Sequence, residues 1–489
     1  MASKADHVRK PARTKILSAG ALCAATVLGV AGLTAGGASA AEPAVPTADY
    51  NNDGYADLAV GVPGATVGGK AKAGYVNVVW GGASGLGKHG STTVSQATAG
   101  VPGMAEAGDA FGTAVDSNDM NGDGYSDLIV GAPDEDNDAG LSAGTVAVVW
   151  GAAGGFKGGF TAANGAFSGG SYGQLLASGD FDEDGDKDIA LNTHFDETSS
   201  VSVRPGPFTS GSPAGLSRVE GWHFAGPRAL VAGDFDGDGA DDLAFSYDGM
   251  EVSGTAVKSR DAGTGEWRTT WSTGDSTDTG LATGDFDGDD TADLAIGNVQ
   301  PNPESESTHC EDRLGGAILT VYGKQGSTLG GPSSCTTQSG PQVGGSPEAG
   351  DDFGARLAST DTDQDGRDEL IAGSEAEAVG TAENAGTFWF LTATGTGTDL
   401  AGPAFSQNSA GVAGTAETGD RFGAAVTAGD YNGDRLPDFA VGTPGEDAKS
   451  GGVWYARTPT NDPGPEMTSV TPGKLGLSGA SGYGAVLSR

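Results

Sequence analysis

The stretch that decides the fold is Asp234-Phe235-Asp236-Gly237-Asp238-Gly239-Ala240-Asp241-Asp242, which continues directly into Leu243-Ala244-Phe245. Carboxylates at positions 1, 3, 5 and 9 and a backbone carbonyl at position 7 can surround a hard cation such as Ca²⁺, which takes six to eight oxygen ligands. Glycine at position 6 permits the left-handed backbone that such a tight turn needs. The stretch therefore predicts a calcium-binding loop that leads into a β-strand.

The same nine-residue pattern occurs seven times in the chain. A single acidic turn is commonly only a solvated loop, but seven copies in register indicate metal binding. An EF-hand needs Glu at position 12, and all seven copies have an apolar residue there. We number the copies loops one to seven. The predicted ligands at positions 1, 3, 5, 7 and 9 are Asp49, Asn51, Asp53, Tyr55, Asp57; Asp119, Asn121, Asp123, Tyr125, Asp127; Asp180, Asp182, Asp184, Asp186, Asp188; Asp234, Asp236, Asp238, Ala240, Asp242; Asp285, Asp287, Asp289, Thr291, Asp293; Asp361, Asp363, Asp365, Arg367, Glu369; and Asp430, Asn432, Asp434, Leu436, Asp438.

The seven loops differ in charge and in the residue at position 6. Loops three to six carry four carboxylates each at positions 1, 3, 5 and 9, whereas loops one, two and seven have one Asn. Position 6 is Asp290 in loop five and Arg435 in loop seven, and Arg tolerates a left-handed backbone poorly. We therefore expect up to seven structural Ca²⁺ ions, with the weakest site in loop seven.

The segments between the loops are short β-rich runs without helical periodicity. Successive loops begin 51 to 76 residues apart, which fits one four-stranded sheet per unit. Tyr483–Leu487 near the C-terminus matches Phe111–Val115 and Phe422–Val426, each of which precedes a calcium loop. The sequence thus predicts an all-β, seven-bladed β-propeller whose C-terminal strand completes the N-terminal blade.

These units resemble the FG-GAP repeats of integrin α-subunit propellers. The likeness rests on Phe111-Gly112 with Gly131-Ala132-Pro133, and on Phe422-Gly423 with Gly442-Thr443-Pro444, placed around a calcium loop. The pattern weakens in the middle, where Tyr172-Gly173 takes the place of the FG pair in the third unit. The resemblance implies a calcium-stabilised, integrin-like propeller that acts as a binding or adhesion module. Related repeats also accompany the hydrolase domains of phospholipases that act on glycolipid anchors.

The N-terminus has the pattern of a secretory signal peptide. Basic residues within residues 4–15 precede an apolar run at 16–35 and the small residues Ala38-Ser39-Ala40. We expect residues 1–40 to be removed, leaving 41–489 as a single secreted propeller with no membrane span. Export also favours a disulfide between Cys310 and Cys335, the two cysteines that remain.

The chain has 65 acidic and 26 basic residues and a formal net charge of −39, which excludes nucleic acid as a partner. We expect a monomer that binds an extracellular protein, glycan or surface through the face opposite the calcium loops. Two alternatives stay open, a carbohydrate-binding lectin and an extracellular hydrolase. Trp80, Trp150, Tyr322 and Trp454 are expected at equivalent places in their blades, which favours packing over sugar binding. Ser171 fits the pattern G-x-S-x-G but lacks a strand-to-helix elbow, so we predict no catalytic site.

Overall fold

The computed structural model describes residues 48–209, 215–249, 253–274, 280–297, 310, 314–327, 329–330, 333–393, 399–457, 466–478 and 481–488. The predicted signal peptide lies outside these residues. Within them, the chain forms seven antiparallel sheets, which confirms the seven-bladed β-propeller. We number the blades one to seven after the loop that each contains.

Each blade has the plan of a four-stranded sheet, and in six blades an acidic loop joins the first strand to the second; in blade one the acidic loop leads into the second strand, and no strand of the described chain precedes it. Blade one contains β1 (Leu58–Val62), β2 (Tyr75–Val79), β3 (Ser91–Val94) and, as its innermost strand, the C-terminal β29 (Val486–Leu487). Blade two contains β4 (Ala114–Asn118), β5 (Asp127–Ala132), β6 (Thr145–Ala152) and β7 (Gly155–Asn164). Blade three contains β8 (Leu176–Gly179), β9 (Asp188–Phe195), β10 (Thr198–Arg204) and β11 (Ser217–His223). Blade four contains β12 (Ala225–Gly233), β13 (Asp242–Gly249), β14 (Ser253–Arg260) and β15 (Trp267–Thr273).

The remaining three blades repeat the plan, although blade six divides its outer strand into two short pieces that both pair with the third strand. Blade five contains β16 (Leu281–Gly284), β17 (Asp293–Ile296), β18 (Ile318–Val321) and β19 (Ser333–Thr336). Blade six contains β20 (Arg356–Thr360), β21 (Glu369–Ser374), β22 (Thr387–Ala393), β23 (Leu400–Ala401) and β24 (Ala404–Phe405). Blade seven contains β25 (Ala425–Gly429), β26 (Asp438–Thr443), the short helical turn α1 (Glu446–Lys449), β27 (Gly452–Ala456) and β28 (Met467–Val470).

The ring closes as the sequence predicted. The C-terminal strand β29 pairs antiparallel with β1, with Val486 opposite Gly61 and Leu487 opposite Val60. The buried Tyr483 adds a 2.8 Å hydrogen bond from its hydroxyl to Asn77 in β2. Two ends of the chain therefore complete one sheet, which leaves no open edge at the junction.

Close backbone contact between blades explains the two glycines of the FG-GAP pattern. A Cβ atom added at Gly131 of blade two would lie 1.8 Å from the carbonyl oxygen of Gly173 in blade three. The same contact recurs at the closing junction, where a Cβ at Gly442 would lie 1.8 Å from the oxygen of Gly484. Only glycine fits there, so the pattern marks where neighbouring blades touch.

The apolar core consists of layers between neighbouring blades. One layer packs Ala59 and Val76 of blade one against Leu128 and Val130 of blade two. The second strands of blades one, two and six are buried along their whole length, since both faces of each sheet are covered, whereas those of blades three and four become partly exposed at their ends. In the part of the chain that the structure describes, no helix has the length and apolar character needed to cross a membrane.

The expected equivalence of the four large aromatics is only partly right. Trp80, Trp150 and Tyr322 each follow the residue that pairs with the first leucine of the second strand. Trp454 pairs with Val441 instead and matches Trp389 of blade six, which pairs with Ala372. Trp454 is fully buried and donates from Nε1 to the carbonyl of Ala413, so its role is packing.

The predicted disulfide is present and joins Cys310 to Cys335 of β19, with the two Cα atoms 5.6 Å apart. It ties the connection between β17 and β18 to the outer strand of blade five. Both cysteines belong to the same blade, so the bond restrains one unit and not the ring as a whole.

Candidate metal centres

The acidic loops all lie on one face of the ring, because each leads into the second strand of its blade. In blades two to seven the position-9 acid is the first residue of the second strand. In blade one, Asp57 immediately precedes β1. Strand direction alternates, so the connections from second to third strands lie on the opposite face.

The position-1 carboxylate organises the backbone of each loop. In loop one the amides of Asp53 and Gly54 donate to Asp49, at 3.1 and 2.8 Å. In loop seven, Arg435 donates the equivalent bond to Asp430 at 2.8 Å. This turn requires a left-handed residue at position 6, and Arg435 adopts it with φ of 72°. Loop seven therefore keeps the shared shape at the cost of a conformation that Arg disfavours.

The carboxylates at positions 1, 3 and 5 converge in the four fully acidic loops. In each, three carboxylate oxygens, one from each residue, lie within 4.8 Å of one another, a spacing that fits a shared cation. The groups are Asp180, Asp182 and Asp184; Asp234, Asp236 and Asp238; Asp285, Asp287 and Asp289; and Asp361, Asp363 and Asp365.

Buried oxygens without a hydrogen-bond partner provide a further test of whether the loops fit a cation. Position 3 contributes such an atom in three loops, namely Oδ1 of Asn51, Asp182 and Asp287. A buried acceptor that lacks a donor is unfavourable unless a cation or water satisfies it. These atoms are available to a cation at the centre of each loop, so the residues present fit calcium.

The position-9 carboxylate does not join these groups within the same distance. Its oxygens accept hydrogen bonds from the backbone instead. Asp57 accepts from Tyr50 at 3.1 Å and from Gly81 at 2.9 Å, and Asp293 accepts from Phe286 at 2.8 Å and Gly323 at 2.7 Å. The position-9 acids thus brace the loop against the third strand, and their role as direct ligands remains a prediction.

Burial raises the pKa of these position-9 acids. It raises the pKa of Asp57 and of Asp293 to about 8 each, although the backbone N–H donors act in the opposite direction. The neighbouring loop carboxylates raise the pKa further because they are like charges. A bound cation would reverse that balance by favouring the ionised form.

Asn at position 3 makes a hydrogen bond to the position-9 acid in loops two and seven. In loop seven, Nδ2 of Asn432 donates to both oxygens of Asp438 at 2.9 and 2.8 Å, while Oδ1 accepts from the Asp434 amide at 3.1 Å. In loop two, Asn121 donates to Asp127 at 3.1 Å. The amide therefore ties position 9 to position 3 and still leaves an oxygen directed to the loop.

Sequence reasoning missed that neighbouring loops are linked. In five of the seven loops, all within the described chain, the position-8 amide donates to the position-1 carbonyl of the preceding loop around the ring. Asp241 donates to Asp180 at 2.8 Å, and Asp368 donates to Asp285 at 2.7 Å. Position 8 of loop seven is Pro437, which has no N–H to donate. The link could be anticipated only once adjacent loops were known to touch.

The family model "FG-GAP repeat" matches residues 43–79, 111–149 and 422–455. A 90-residue segment is 40% identical to phosphatidylinositol-glycan-specific phospholipase D of Bos taurus, covering 18% of this chain and 11% of that protein. The Rattus norvegicus phospholipase D of the same name is 38% identical over 87 residues, covering 18% and 10%. The chain thus spans about a tenth of the length of these curated relatives.

Among solved structures, a Bacteroides uniformis protein provisionally assigned as a 6-phosphogluconolactonase matches with a TM-score of 0.44 and 8% identity. The match covers 88% of this chain and 98% of that one. The three matched FG-GAP repeats lie within the ring of seven blades, so the chain is a seven-bladed β-propeller that contains FG-GAP repeats.

Proposed function

We propose that this protein is a secreted, calcium-stabilised binding module that performs no chemistry and uses the face opposite the calcium loops. In this proposal residues 1–40 form a signal peptide and residues 41–489 form one monomeric propeller. The FG-GAP repeats and the disulfide favour an extracellular setting. The acidic groups favour Ca²⁺ as a structural ion, with up to seven bound.

The distribution of exposed apolar side chains carries this proposal. The six large hydrophobic residues that are exposed in the described chain all lie at the end of a second strand, in a connection from a second to a third strand, or between blades, and these positions are all on the opposite face. Apolar groups clustered on one face indicate an interaction surface. The six are Met104, Leu141, Phe167, Phe195, Phe224 and Leu314.

Four of these residues lie at the ends of blades two and three or in the connections that follow them, and we call this set the apolar arc: Leu141, Phe167, Phe195 and Phe224. The rings of Phe167 and Phe195 have centroids 4.3 Å apart. The carbonyl of Leu141 accepts from the turn that follows Phe167, at 2.8 Å from the Gly169 amide. The amide of Phe224 donates to Glu197 in the adjoining hairpin at 2.9 Å. Such an arc fits a protein partner.

A polar cleft beside the arc favours the lectin alternative. It has a volume of about 720 Å³ and is lined in part by Asn192, His194, Glu197 and Phe224. Amide and carboxylate groups next to an exposed aromatic ring suit a sugar, which offers hydroxyls and an apolar face. A glycan is therefore the second candidate ligand.

The hydrolase alternative gains little from the same cleft, which Ser171 also lines. Its left-handed φ of 46° is shared by Ala110, Asp352 and Arg421 at the same place in their blades. The conformation is thus a repeated feature of the fold and not a nucleophile held under strain. The Nδ1 atom of His194 is hydrogen-bonded to Ser199, 2.8 Å away.

A binding experiment tests the proposal. The labelled protein is titrated, with saturating calcium, onto panels of immobilised extracellular proteins and glycans. We expect saturable binding to protein that is lost in the double variant F167S/F195S. It should be kept in K88S, which alters an exposed residue on the calcium face.

Two other outcomes would redirect the interpretation. Binding to glycans that is lost on Asn192→Ala, with F167S/F195S unaffected, would establish the lectin alternative. Equal binding by the wild type, by F167S/F195S and by Asn192→Ala would overturn the proposal that the ligand binds to the face opposite the calcium loops.

A further inference from the structure

A second set of oxygen-rich clusters lies on the opposite face, at three junctions between blades. Each contains a buried Gln that follows the outer strand of one blade, and an Asp and a Glu from the next blade. The spacing is the same in all three, with Asp 13 and Glu 39 residues after Gln. We call them junction clusters: 1–2 is Gln96, Asp109 and Glu135; 5–6 is Gln338, Asp351 and Glu377; and 6–7 is Gln407, Asp420 and Glu446.

The hydrogen bonds within the clusters are also repeated. The Gln side-chain amide donates to the Glu carboxylate, at 2.6 Å in cluster 1–2, 3.1 Å in 5–6 and 2.7 Å in 6–7. The Asp Oδ2 accepts a backbone amide from the residue three positions earlier, at 2.5 to 2.6 Å. The three clusters are therefore copies of one arrangement, built by two adjacent blades.

Each cluster contains one buried oxygen without a partner. The Oε1 atoms of Gln96, Gln338 and Gln407 have no hydrogen-bond donor. These side chains are only 5%, 3% and 1% exposed. Three equivalent buried carbonyl oxygens left without a donor indicate that something absent from the chain itself satisfies them.

Two oxygens of cluster 5–6, from Gln338 and Asp351, lie close to the same point beside Gly315. A Cβ atom added at Gly315 would lie 2.9 Å from Oε1 of Gln338, 2.9 Å from the carbonyl oxygen of Glu348 and 3.0 Å from Oδ2 of Asp351. Glycine therefore keeps open a space that oxygens from two blades surround. The orphaned Gln338 oxygen is directed into it.

Charge favours a cation as the occupant. The carboxylates of Glu377 and Asp351 repel each other, and the same holds for the Glu and Asp of the other two clusters. None of the ion pairs in the described residues includes any of these six acids. Two carboxylates with amide and backbone carbonyls form an all-oxygen donor set, which suits a hard divalent ion.

We propose that the junction clusters are a second class of calcium site, separate from the acidic loops and located on the opposite face. The ligands are the Gln Oε1 and the carboxylates of Asp and Glu, with the Glu348 carbonyl in addition in cluster 5–6. Each ion joins two neighbouring blades, so it clamps a junction. It also lies on the face that carries the apolar arc.

Crystallography with calcium tests the location directly. Crystals of the full chain grown in saturating Ca²⁺ should give anomalous difference peaks at the acidic loops and at the three junction clusters. Peaks at the loops without peaks at the clusters would overturn this inference and leave the calcium-stabilised module intact. Absence of both would contradict the two proposals together.

Calcium counting in solution provides the matched comparison. The triple variant E135Q/E377Q/E446Q should bind three fewer Ca²⁺ ions than the wild type. The control E106Q/E348Q/E417Q neutralises three exposed side chains on the same turns and should bind the wild-type number. Equal counts for both would overturn the inference.

A second variant guards against misfolding of the triple variant. Q338M removes the orphaned oxygen and keeps the length of the side chain, and it should lose one ion. A full calcium count in Q338M, with an unchanged melting transition, would count against cluster 5–6 as a site.

Discussion

On one face of the ring each candidate metal centre comes from nine consecutive residues, whereas on the other each junction cluster draws on residues up to 39 positions apart in two blades. The loops face solvent at positions 5 and 6, and their backbone shape is fixed by their own position-1 carboxylate. The clusters are buried and depend on two sheets meeting correctly. Sites made of consecutive residues can be found from sequence spacing alone. Sites that two blades build together can be found only once the ring is assembled.

Removal of calcium should have the largest effect on the stability of the fold. Calorimetry in excess Ca²⁺ should give one cooperative transition, and a chelator should lower its midpoint strongly. When free Ca²⁺ is at 100 times the Kd of a site, that site contributes about 2.7 kcal/mol to the unfolding free energy by mass action, and the contributions of several sites add. Magnesium at the same ionic strength is the control. An unchanged midpoint would mean that the loops are only turns.

The pH dependence of the calcium-free protein should be the next largest effect. Burial raises the pKa of Asp57 and Asp293 to about 8 and of Asp127 to about 7. A group that holds its proton more tightly when folded stabilises the fold at low pH. This contribution is complete below about pH 4 and is lost as pH rises through 7 to 8. Urea unfolding with chelator should therefore show stability falling from pH 5 to pH 8.

The same unfolding experiment in saturating calcium is the comparison, because a cation favours the ionised carboxylates. The fall in stability between pH 5 and pH 8 should then disappear or reverse. The same decline with and without calcium would show that the position-9 acids do not respond to the ion.

Substitution of a single loop ligand should have a smaller effect. D234N removes one charge from loop four and should cost one bound ion and about 2 to 3 kcal/mol of unfolding free energy in saturating calcium. The control D196N changes an exposed acid on the opposite face and should stay within about 0.5 kcal/mol. Chelator should bring the two variants closer together. Equal stability of both in calcium would remove loop four from the set of sites.

A substitution in loop seven should increase stability. Arg435 has a left-handed backbone, with φ of 72°, and glycine adopts this region without strain. R435G should raise the calcium affinity of loop seven, with a stability change of about 1 kcal/mol or less. G366R in loop six is the reverse substitution at the same position and should weaken that loop. Equal affinities in both variants would reject position 6 as a determinant.

The apolar arc should contribute least to stability. Phe195 is 53% exposed, so F195S removes few buried contacts and should change the unfolding free energy by about 0.5 kcal/mol or less. The buried F111S, which replaces the phenylalanine of an FG pair, is the contrast and should cost several kcal/mol. A large cost for F195S would mean that the arc is part of the core and not a surface kept for a partner.

The sequence predicted the local parts of this molecule well. Seven loops, the strands after them and the closing strand β29 were all found by repetition, because their determinants are contiguous residues with fixed spacing. The position-1, 3 and 5 groups were predicted for the same reason. The likeness of Trp454 to Trp80 was wrong, since register within a blade depends on pairing partners that spacing alone does not specify.

The sequence by itself determined the repeat, the acidic loops and the ring that contains them, because each loop encodes its own turn and its own oxygens. Only the tertiary structure decided what neighbouring blades do together. It linked adjacent loops through backbone hydrogen bonds, placed the exposed phenylalanines on one face, and brought oxygens of Gln338 and Asp351 beside Gly315, with Gln338 hydrogen-bonded to Glu377. Those groups become neighbours only when two sheets pack at a set distance, and glycine contacts such as Gly131 against Gly173 fix that distance.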